Sequence, residues 1–296
     1  MALNIQSRLF ARTASSSSHN GPLRVYNRSP EKTAPLVAAG SIALNSPAAL
    51  AQQCSIVHVM MANDAAVLET ITALLATPRP ATLPQLVVLN HATVSPTCAR
   101  TAHAMCTAKG AIFVPCPVMG RPERAKEAKL GAIVSGLDKA VLARVEPSIR
   151  CFSENVTDVG ADIGAANAFK LVLNYHLPVG MEMITEAMCL MDKNGIDRKH
   201  LLAFYPFILS IALPGYASVI ASSSFHQGMS VANGIKDVDL ILGLGRDSGV
   251  KLKYAEVARE RLVKALERGR GDLDWAVMAT VIREENGVET GLKGKL

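Results

Sequence analysis

The 296 residues are 49% apolar and only 19% charged, a composition that buries a large core and favours two folded domains. The net charge of +6 is not clustered and only 4% of residues are aromatic, which argues against a nucleic-acid surface and better suits a small anionic ligand. The six cysteines show no CxxC pair and the seven histidines no HxxH or HxxxH spacing, so we expect reduced thiols and no metal.

The N-terminal segment has two interpretations. Its arginines Arg8 and Arg12, a serine run and the lack of an acid before Glu31 are typical of a mitochondrial transit peptide. The competing interpretation is an amphipathic helix over 2–14, followed by a polar loop over 15–21. The side chains available for burial on this helix are Leu3, Ile5, Leu9 and Phe10. Since no secretory signal is present, we expect a cytoplasmic protein, with a mitochondrial location as the alternative.

Residues 23–134 alternate between short apolar strands and helices, which is the pattern of a parallel sheet with crossover helices. Strands are predicted at 23–26, 55–61, 85–90, 111–115 and 130–134. Helices are predicted at 32–39, from Ser46-Pro47 onward, at 64–75 and at 95–109. Because the strands contain few polar residues, we expect a sheet that is covered on both faces.

The first predicted strand ends in a turn with polar and basic side chains. The turn contains Asn27, Arg28, Ser29 and Lys32. In enzymes that bind dinucleotides, the turn after the second strand carries an acid that binds a ribose hydroxyl or an arginine that binds a 2′-phosphate. Here an arginine follows the strand, so the turn predicts a phosphate site. A solvated turn would show the same residues and is the alternative.

Two further strand ends carry loops that could bind a ligand. The loop over 90–96 follows the third predicted strand, and the loop over 115–122 follows the fourth. Ligands of open parallel sheets bind outside the carboxyl ends of the strands. Both loops are therefore candidates for a binding site.

A helical run over 160–195 follows the alternating region. Its apolar residues lie on almost every face, which predicts a buried helix. Asn167, Lys170 and Asn174 are spaced i, i+3 and i+7 and share one stripe. A lysine on a buried helix loses hydration and shifts toward neutrality, as a proton-transferring amine requires. Lys170 is thus the first catalytic candidate. The alternatives are a structural lysine that snorkels and a membrane span, which the polar residues interrupt.

The remainder of the chain is predicted to be all helical. Helices are predicted at 198–210, 218–224, 234–247, 251–268 and 275–285. The stretch 201–224 is rich in isoleucine, leucine and alanine, so it could form a surface between two subunits or the core of a monomer.

Six stretches, in this order, resemble the β-hydroxyacid dehydrogenase superfamily, which includes 3-hydroxyisobutyrate dehydrogenases, 6-phosphogluconate dehydrogenase-like proteins and imine reductases. YNRSPEK resembles its cofactor-discriminating turn, HVMMANDAAV its strand and loop under the nicotinamide ribose, and NHATVSP its threonine-bearing loop. PVMGRPERAKEAKLGAIVSG resembles its substrate loop, GAANAFKLVLNYHLPVGMEMITEA its interdomain helix, and NGIKDVDL its cofactor-contacting segment. The likeness covers nearly the whole chain.

This resemblance implies roles for individual residues. Lys170 matches the catalytic lysine of the family, and Asn174 matches its substrate-binding asparagine. The other implied substrate-binding positions are Thr93, Met119, Gly120 and Arg121. The implied cofactor-binding positions are Asn27, Arg28, Ser29, Lys32, Met60, Met61, Val67, Thr93 and Lys236.

The resemblance also implies the architecture. We expect an α/β protein in which residues 1–158 form a Rossmann-type, doubly wound parallel sheet and residues 159–296 form an all-α domain, joined by the long interdomain helix. The helical domain pairs across a two-fold axis in this family, so a homodimer is expected, with neither a nucleic acid nor a membrane as partner.

The chain departs from the family pattern at two places. Family members begin with a strand and a GxGxMG loop before a helix of pattern MAxNL, whereas this sequence starts at that helix. We expect an open slot in the sheet and weakened NADPH binding, and we hypothesise a start codon placed too late. The substrate loop departs because Pro115, Met119 and Arg121 replace Asp, Ser and Gly, and Ala92 replaces a serine before Thr93.

The function that the resemblance implies is an NADP-dependent oxidoreductase, with NAD as the less favoured cofactor. It would move a hydride between the nicotinamide and the hydroxyl-bearing carbon of a small β-hydroxyacid, with Lys170 as general acid and base. The alternatives are an imine or aldehyde reductase on the same scaffold and a non-catalytic dimeric remnant. Retention of Lys170 favours a hydroxyacid over an imine, because imine reductases typically replace this lysine.

Overall fold

The computed structural model of the protein describes residues 1–10, 22–226 and 228–292. The chain divides into two compact units, Met1–His176 and Leu177–Leu296. The first unit contains all the described strands, and the second is helical. The α/β fold class and the all-helical C-terminal half predicted from the sequence are confirmed.

The first unit alternates strands and helices. Its strands are β1 Arg24–Val25, β2 Ile42–Ala43, β3 Ile56–Val59, β4 Val87–Asn90, β5 Ile112–Pro115, β6 Val118–Met119, β7 Leu130–Val134 and β8 Ser153–Asp158. Its helices are α1 Ala2–Ile5, α2 Ala34–Ala38, α3 Pro47–Ala51, α4 Asp64–Leu75, α5 Pro96–Ala108, α6 Pro122–Lys126, α7 Lys139–Ile149 and the first part of α8 Ala165–Lys193.

The strands form three small sheets. β1 pairs with β2, and β3, β4 and β5 form a second parallel sheet. In the third sheet, β7 pairs antiparallel with β6 and parallel with β8. β1 and β3 thus belong to separate sheets in the described part of the chain, and the open slot expected between them stays a prediction. Arg24 Nε donates to Gln53 Oε1 at 2.9 Å and joins β1 to the segment before β3.

Side-chain alternation on β4 supplies both hydrophobic cores of this unit. Val88 packs into the cluster beneath α4 and α5, whereas Val87 and Leu89 pack into the cluster that includes β7 and α7. All three side chains are fully buried. Burial of each such side chain contributes about 1.5–3 kcal/mol, so this strand anchors the sheet from both faces.

Side-chain caps fix the starts of the crossover helices. The N-cap Asn63 Oδ1 accepts from Ala66 N at 3.0 Å, and Ser95 Oγ accepts from Cys98 N at 3.0 Å. Ser46 caps α3 in the same way. Each cap contributes about 1 kcal/mol, and these residues lie where the sequence predicts the helix starts.

The N-terminal helix is short and buries one face only. After α1, a π-helical turn spans Gln6–Phe10. Ile5 is 5% exposed, whereas Leu3 is 51% exposed, so of these two side chains only Ile5 is buried. Residues two positions apart are about 200° apart around a helix and cannot share a face. The rest of the helix predicted over 2–14, together with the side chain of Phe10, lies outside the described residues.

The long helix α8 is buried only near its start. Its buried residues are Ala166, Asn167 and Lys170, whereas Tyr175 is 65% exposed. The prediction of a helix buried on all faces is therefore wrong for the single chain. The helix continues through Pro178, and the part that follows contributes no residue to the hydrophobic core of the helical unit.

The second unit has its own core. Its further helices are α9 Arg198–Phe207, a π-helical turn Ile208–Ala212, α10 Leu213–Ser222, α11 Val231–Ser248, α12 Lys253–Glu267, a 3₁₀ turn Trp275–Val277 and α13 Met278–Glu285. The core side chains come from α11 to α13 and from Phe225. The helical run Arg198–Ser222 is continuous, which corrects the predicted break at 211–217. It is the one described helix that is long and apolar enough to cross a membrane. Its most apolar stretch of 18 residues has a mean hydropathy of 1.6 and contains no buried residue.

Candidate functional site

The amine of Lys170 lies against the thioether of Met119. Lys170 is 7% exposed, and its Nζ donates to Met119 Sδ at 2.7 Å. Burial lowers the pKa of Lys170 from its ordinary value of 10.5, and no charged side chain contributes to this shift. The fold thus brings together Lys170 and Met119, which the sequence assigns to the site. The amine of Lys170 is less hydrated there than it would be on the surface.

The start of α8 is fixed by the end of β7. Ser135 Oγ accepts from Ala166 N at 3.0 Å and so satisfies one of the free backbone donors of the first turn. Gly136 has φ +66°, and a Cβ atom at this position would lie 2.9 Å from the Cα of Ile163. Only glycine permits this close approach, which sets the position of Lys170 one turn further along the helix.

The predicted polar stripe begins at a fully buried amide. Neither Asn167 Oδ1 nor Asn167 Nδ2 has a hydrogen-bond partner among the described residues. Asn174, one turn beyond Lys170, is half-buried. Burying an amide without a partner costs free energy, so Asn167 lowers stability beside the candidate catalytic lysine.

The loops after β3 and β4 are joined by a clamp that sequence reasoning missed. Ser95 N donates to Asp64 Oδ1 at 3.0 Å, and the Ser95 hydroxyl donates to the other oxygen of the same carboxylate. The clamp joins the loop that bears the exposed Met60 to the loop that bears the exposed Thr93. These loops leave neighbouring parallel strands at their carboxyl ends, where ligands of such sheets bind.

Met61 and Val67, both assigned to the cofactor from the sequence, differ in their burial. Met61 is half-buried and packs against the core beneath α4. Val67 is fully buried in that core, and its assignment to the cofactor stays a prediction. Its helix face turns toward the sheet, so Val67 supports the loop from below.

The substrate loop turns at a glycine that no other residue could replace without strain. Gly120 has φ +132°, and a Cβ atom there would lie 2.7 Å from Leu130 Cδ2. Arg121 follows as the exposed N-cap residue of α6. The loop therefore presents Met119 on its buried side and Arg121 to solvent.

The turn after β1 has the geometry and charge to hold a phosphate. Asn27 Oδ1 accepts from Ser29 N at 2.9 Å, which closes a local turn around Arg28. Arg28 and Lys32 are exposed, and neither side chain forms an ion pair within the described part of the chain. Two exposed cations beside an ordered turn are suited to an anionic group such as a phosphate, and the assignment of this turn to the cofactor stays a prediction.

Lys236 lies in the second unit, on α11. Its Nζ is 3.0 Å from Asp237 Oδ1, and the lysine is mostly exposed. The adjacent acid holds the ammonium locally. Its assignment to the cofactor stays a prediction.

A buried histidine pair was also missed. His58 Nδ1 lies 2.8 Å from His91 Nε2, and His91 Nδ1 lies 2.8 Å from the carbonyl oxygen of Cys116. Burial lowers the pKa of His91 to about 4 and the pKa of His58 well below its ordinary value, so both rings are neutral at pH 7. Side-chain alternation could have revealed the pair, because residue 91, directly after β4, falls on the same face of the sheet as residue 58 on β3.

Residues 1–10, 22–226 and 228–292 contain no group of three or more histidine, cysteine or acidic side chains that could hold a metal ion. The six cysteines are free thiols. Burial raises the pKa of Cys106 and of Cys116 to about 12, which keeps both thiols protonated and unreactive at neutral pH.

Known proteins resemble the chain over most of its length. The model of the NAD binding domain of 6-phosphogluconate dehydrogenase matches residues 11–160, and the model of the NAD-binding domain of NADP-dependent 3-hydroxyisobutyrate dehydrogenase matches residues 164–282. The oxidoreductase YfjR of Bacillus subtilis (strain 168) is 30% identical, over 88% of this chain and 91% of that protein.

Two more distant similarities extend this result. Glyoxylate/succinic semialdehyde reductase 1 of Arabidopsis thaliana is 25% identical, over 88% of this chain and 89% of that protein. The structure of a reductive aminase from Aspergillus terreus in complex with NADPH and ethyl levulinate shares the fold, with a TM-score of 0.76, 19% identity and 95% of each chain covered. The chain therefore belongs to the β-hydroxyacid dehydrogenase superfamily and is an oxidoreductase of this NAD(P)-binding family.

Proposed function

We propose that the protein is an NADP-dependent oxidoreductase acting on the hydroxyl-bearing carbon of a small β-hydroxyacid. The observation that carries the proposal is the buried amine of Lys170, whose pKa is lowered by burial alone. The nicotinamide supplies or accepts the hydride, and the protein must move the hydroxyl proton. A dehydrated amine without an acidic partner is suited to that transfer.

Lys170 acts at its Nζ atom in both directions of the reaction. During oxidation the neutral amine accepts the hydroxyl proton, and during reduction the ammonium donates it to the carbonyl oxygen. The reductive rate should fall as pH rises through the pKa of Lys170. Because burial lowers that pKa, the fall should begin below the ordinary lysine value of 10.5.

The other residues of the site hold substrate and cofactor. Asn174 binds the substrate oxygens, while Thr93 and Gly120 bind the carboxylate. Arg121 adds a positive charge nearby that offsets the loss of the family's serine hydroxyl at Met119. The residues proposed to contact the cofactor are Asn27, Arg28, Ser29, Lys32, Met60, Met61, Thr93 and Lys236.

A substrate panel tests this proposal. Small β-hydroxyacids with NADP⁺ should give NADPH, and the matching aldehydes and imines should be assayed with NADPH in the reverse direction. Aldehyde reduction is the second candidate, since the Arabidopsis relative is named for it and Met119 offers no hydroxyl to a carboxylate. Turnover of imines alone would contradict both assignments.

Arg28→Asp should move the cofactor preference toward NAD. The substitution places a negative charge where the 2′-phosphate of NADP would bind, so NADPH affinity should fall by about tenfold or more while NADH affinity is retained. Fluorescence titration with each cofactor measures this. Lys109→Asp, an exposed change of the same charge at the end of α5, is the control. An unchanged preference for NADPH would exclude this turn as the phosphate site.

We further propose that the helical unit pairs with a second copy of the chain. The run Arg198–Ser222 has no buried residue and carries no charge after Lys199. Its exposed apolar side chains include Leu202, Phe204, Phe207, Leu209 and Ile211. A helical unit of this family pairs across a two-fold axis, and a second copy would remove this uncharged face from water.

Phe204→Glu should shift the protein from dimer to monomer. Phe204 is 67% exposed in the single chain, and a carboxylate at a subunit interface would lose its hydration. Light scattering after size exclusion measures the mass. Val257→Glu, on α12 at 51% exposure, is the matched control and should leave the mass unchanged. A monomeric parent, or one that floats with lipid vesicles, would contradict the proposal.

A further inference from the structure

The contact between Met119 and Lys170 joins two residues 51 positions apart in the chain. Met119 is held by its antiparallel pairing with Gly131, and a Cβ atom on Gly131 would lie 3.7 Å from Met119 Cβ. From this strand the thioether reaches Lys170 Nζ at 2.7 Å. Among the described residues, this sulfur is the one acceptor within hydrogen-bond distance of the amine.

We propose that Met119 is a positioning residue for Lys170, holding the amine through a weak, uncharged acceptor that the substrate oxygen displaces. This inference rests on the proposed function, in which Lys170 transfers a proton. The sequence assigns Met119 only to contact with the substrate. In this inference Met119 has a second role, which is to control the catalytic amine.

A thioether suits this role because of its weakness. Sulfur in methionine accepts hydrogen bonds poorly and has no charge, so it orients the amine without stabilising the ammonium strongly. A carboxylate in this position would hold the proton, and a hydroxyl would compete with the substrate as both donor and acceptor. Methionine also has rotatable bonds that allow it to move aside.

The charged residues near this contact do not explain the state of the amine. Arg121 is exposed, and Arg124 donates from its Nε to the carbonyl oxygen of Lys129 at 3.0 Å. Arg124 also lies 4.0 Å from Glu154. Further along α8, Tyr175 and His176 are exposed. None of these groups contributes to the lowered pKa of Lys170. A change of the acceptor at position 119 should therefore change the pKa of Lys170 directly.

The first experiment measures the contact without turnover. In protein labelled with ¹³C at the methionine methyl groups, the Met119 signal is assigned as the one missing from Met119→Leu. That signal should shift with pH as Lys170 titrates, with a midpoint below 10.5. In Lys170→Met the shift should vanish. A Met119 signal that titrates identically in both proteins, or not at all, would overturn the proposal.

The second experiment measures the pH dependence of kcat/KM for reduction. Met119→Gln offers the ammonium a stronger acceptor and should move the loss of activity at high pH upward by about one pH unit. Met119→Leu removes the acceptor at similar volume and should move it downward. A packing role alone predicts the same midpoint in all three proteins, and that result would overturn the proposal. If no substrate turns over, the proposed function fails, and the methyl titration still decides the contact.

Discussion

Lys170→Met is expected to fold and to bind NADPH but to lose turnover by about 10²- to 10⁴-fold, the usual contribution of a general acid or base. Methionine keeps the length and apolar stem of lysine while removing the proton-carrying nitrogen. Because kcat depends on the proton transfer and cofactor affinity does not, the two should separate. Steady-state kinetics and NADPH fluorescence titration measure them.

The same variant should be at least as stable as the parent at pH 7. A lysine whose pKa is lowered by burial is charged more readily in the unfolded chain, so it weakens the fold below its folded pKa. This penalty shrinks as pH rises between the folded pKa and the ordinary value of 10.5. Any gain in melting temperature should therefore be present at pH 7 and shrink as pH rises through that window.

The control for Lys170→Met is Lys193→Met at the exposed end of the same helix. It makes the same chemical change and should leave kcat unchanged. Retained turnover in Lys170→Met would refute the catalytic assignment. An equal loss in both variants would instead indicate general damage to α8.

Elements with strong local signals could be predicted from the sequence. Helix α4 and strand β7 were predicted with the bounds that the structure has, and α5, predicted over 95–109, spans Pro96–Ala108. Strands β2, β6 and β8 were missed, because β2 and β6 have two residues each and β8, with the sequence SENVTD, is not an apolar run. The signals that succeed are caps and alternation, which act within a few residues.

Features that depend on distant contacts could not be predicted in the same way. Composition predicts burial all along α8, but burial depends on what packs against each face, and in the single chain only its first turns are covered. The stripe of Asn167, Lys170 and Asn174 follows from helical spacing alone. The thioether facing Lys170 does not, because Met119 lies on β6, 51 positions before Lys170 in the chain.

Gly136→Ala is expected to destabilise the first unit more than Gly110→Ala does. The two glycines have nearly the same left-handed backbone, with φ +66° and φ +67°. A Cβ atom at Gly110 would meet nothing within 4 Å, so that substitution costs only the conformational strain, about 1–2 kcal/mol. At Gly136 the added atom would meet the backbone of Ile163 at 2.9 Å. That contact should add about 1–3 kcal/mol, as overpacking does.

The extra cost should also be seen in catalysis, because the contact lies where α8 begins. To relieve the clash, Ile163 and the first turn of α8 must move away from β7, and Lys170 must move with them. A shift of about 1 Å in a catalytic group costs on the order of 10²-fold in rate, so Gly136→Ala should lower kcat while Gly110→Ala should not. Calorimetric melting and kcat, measured on both variants, separate the two effects. Equal losses of melting temperature would show that the close approach at Ile163 carries no energetic weight and that Ser135 alone fixes the helix.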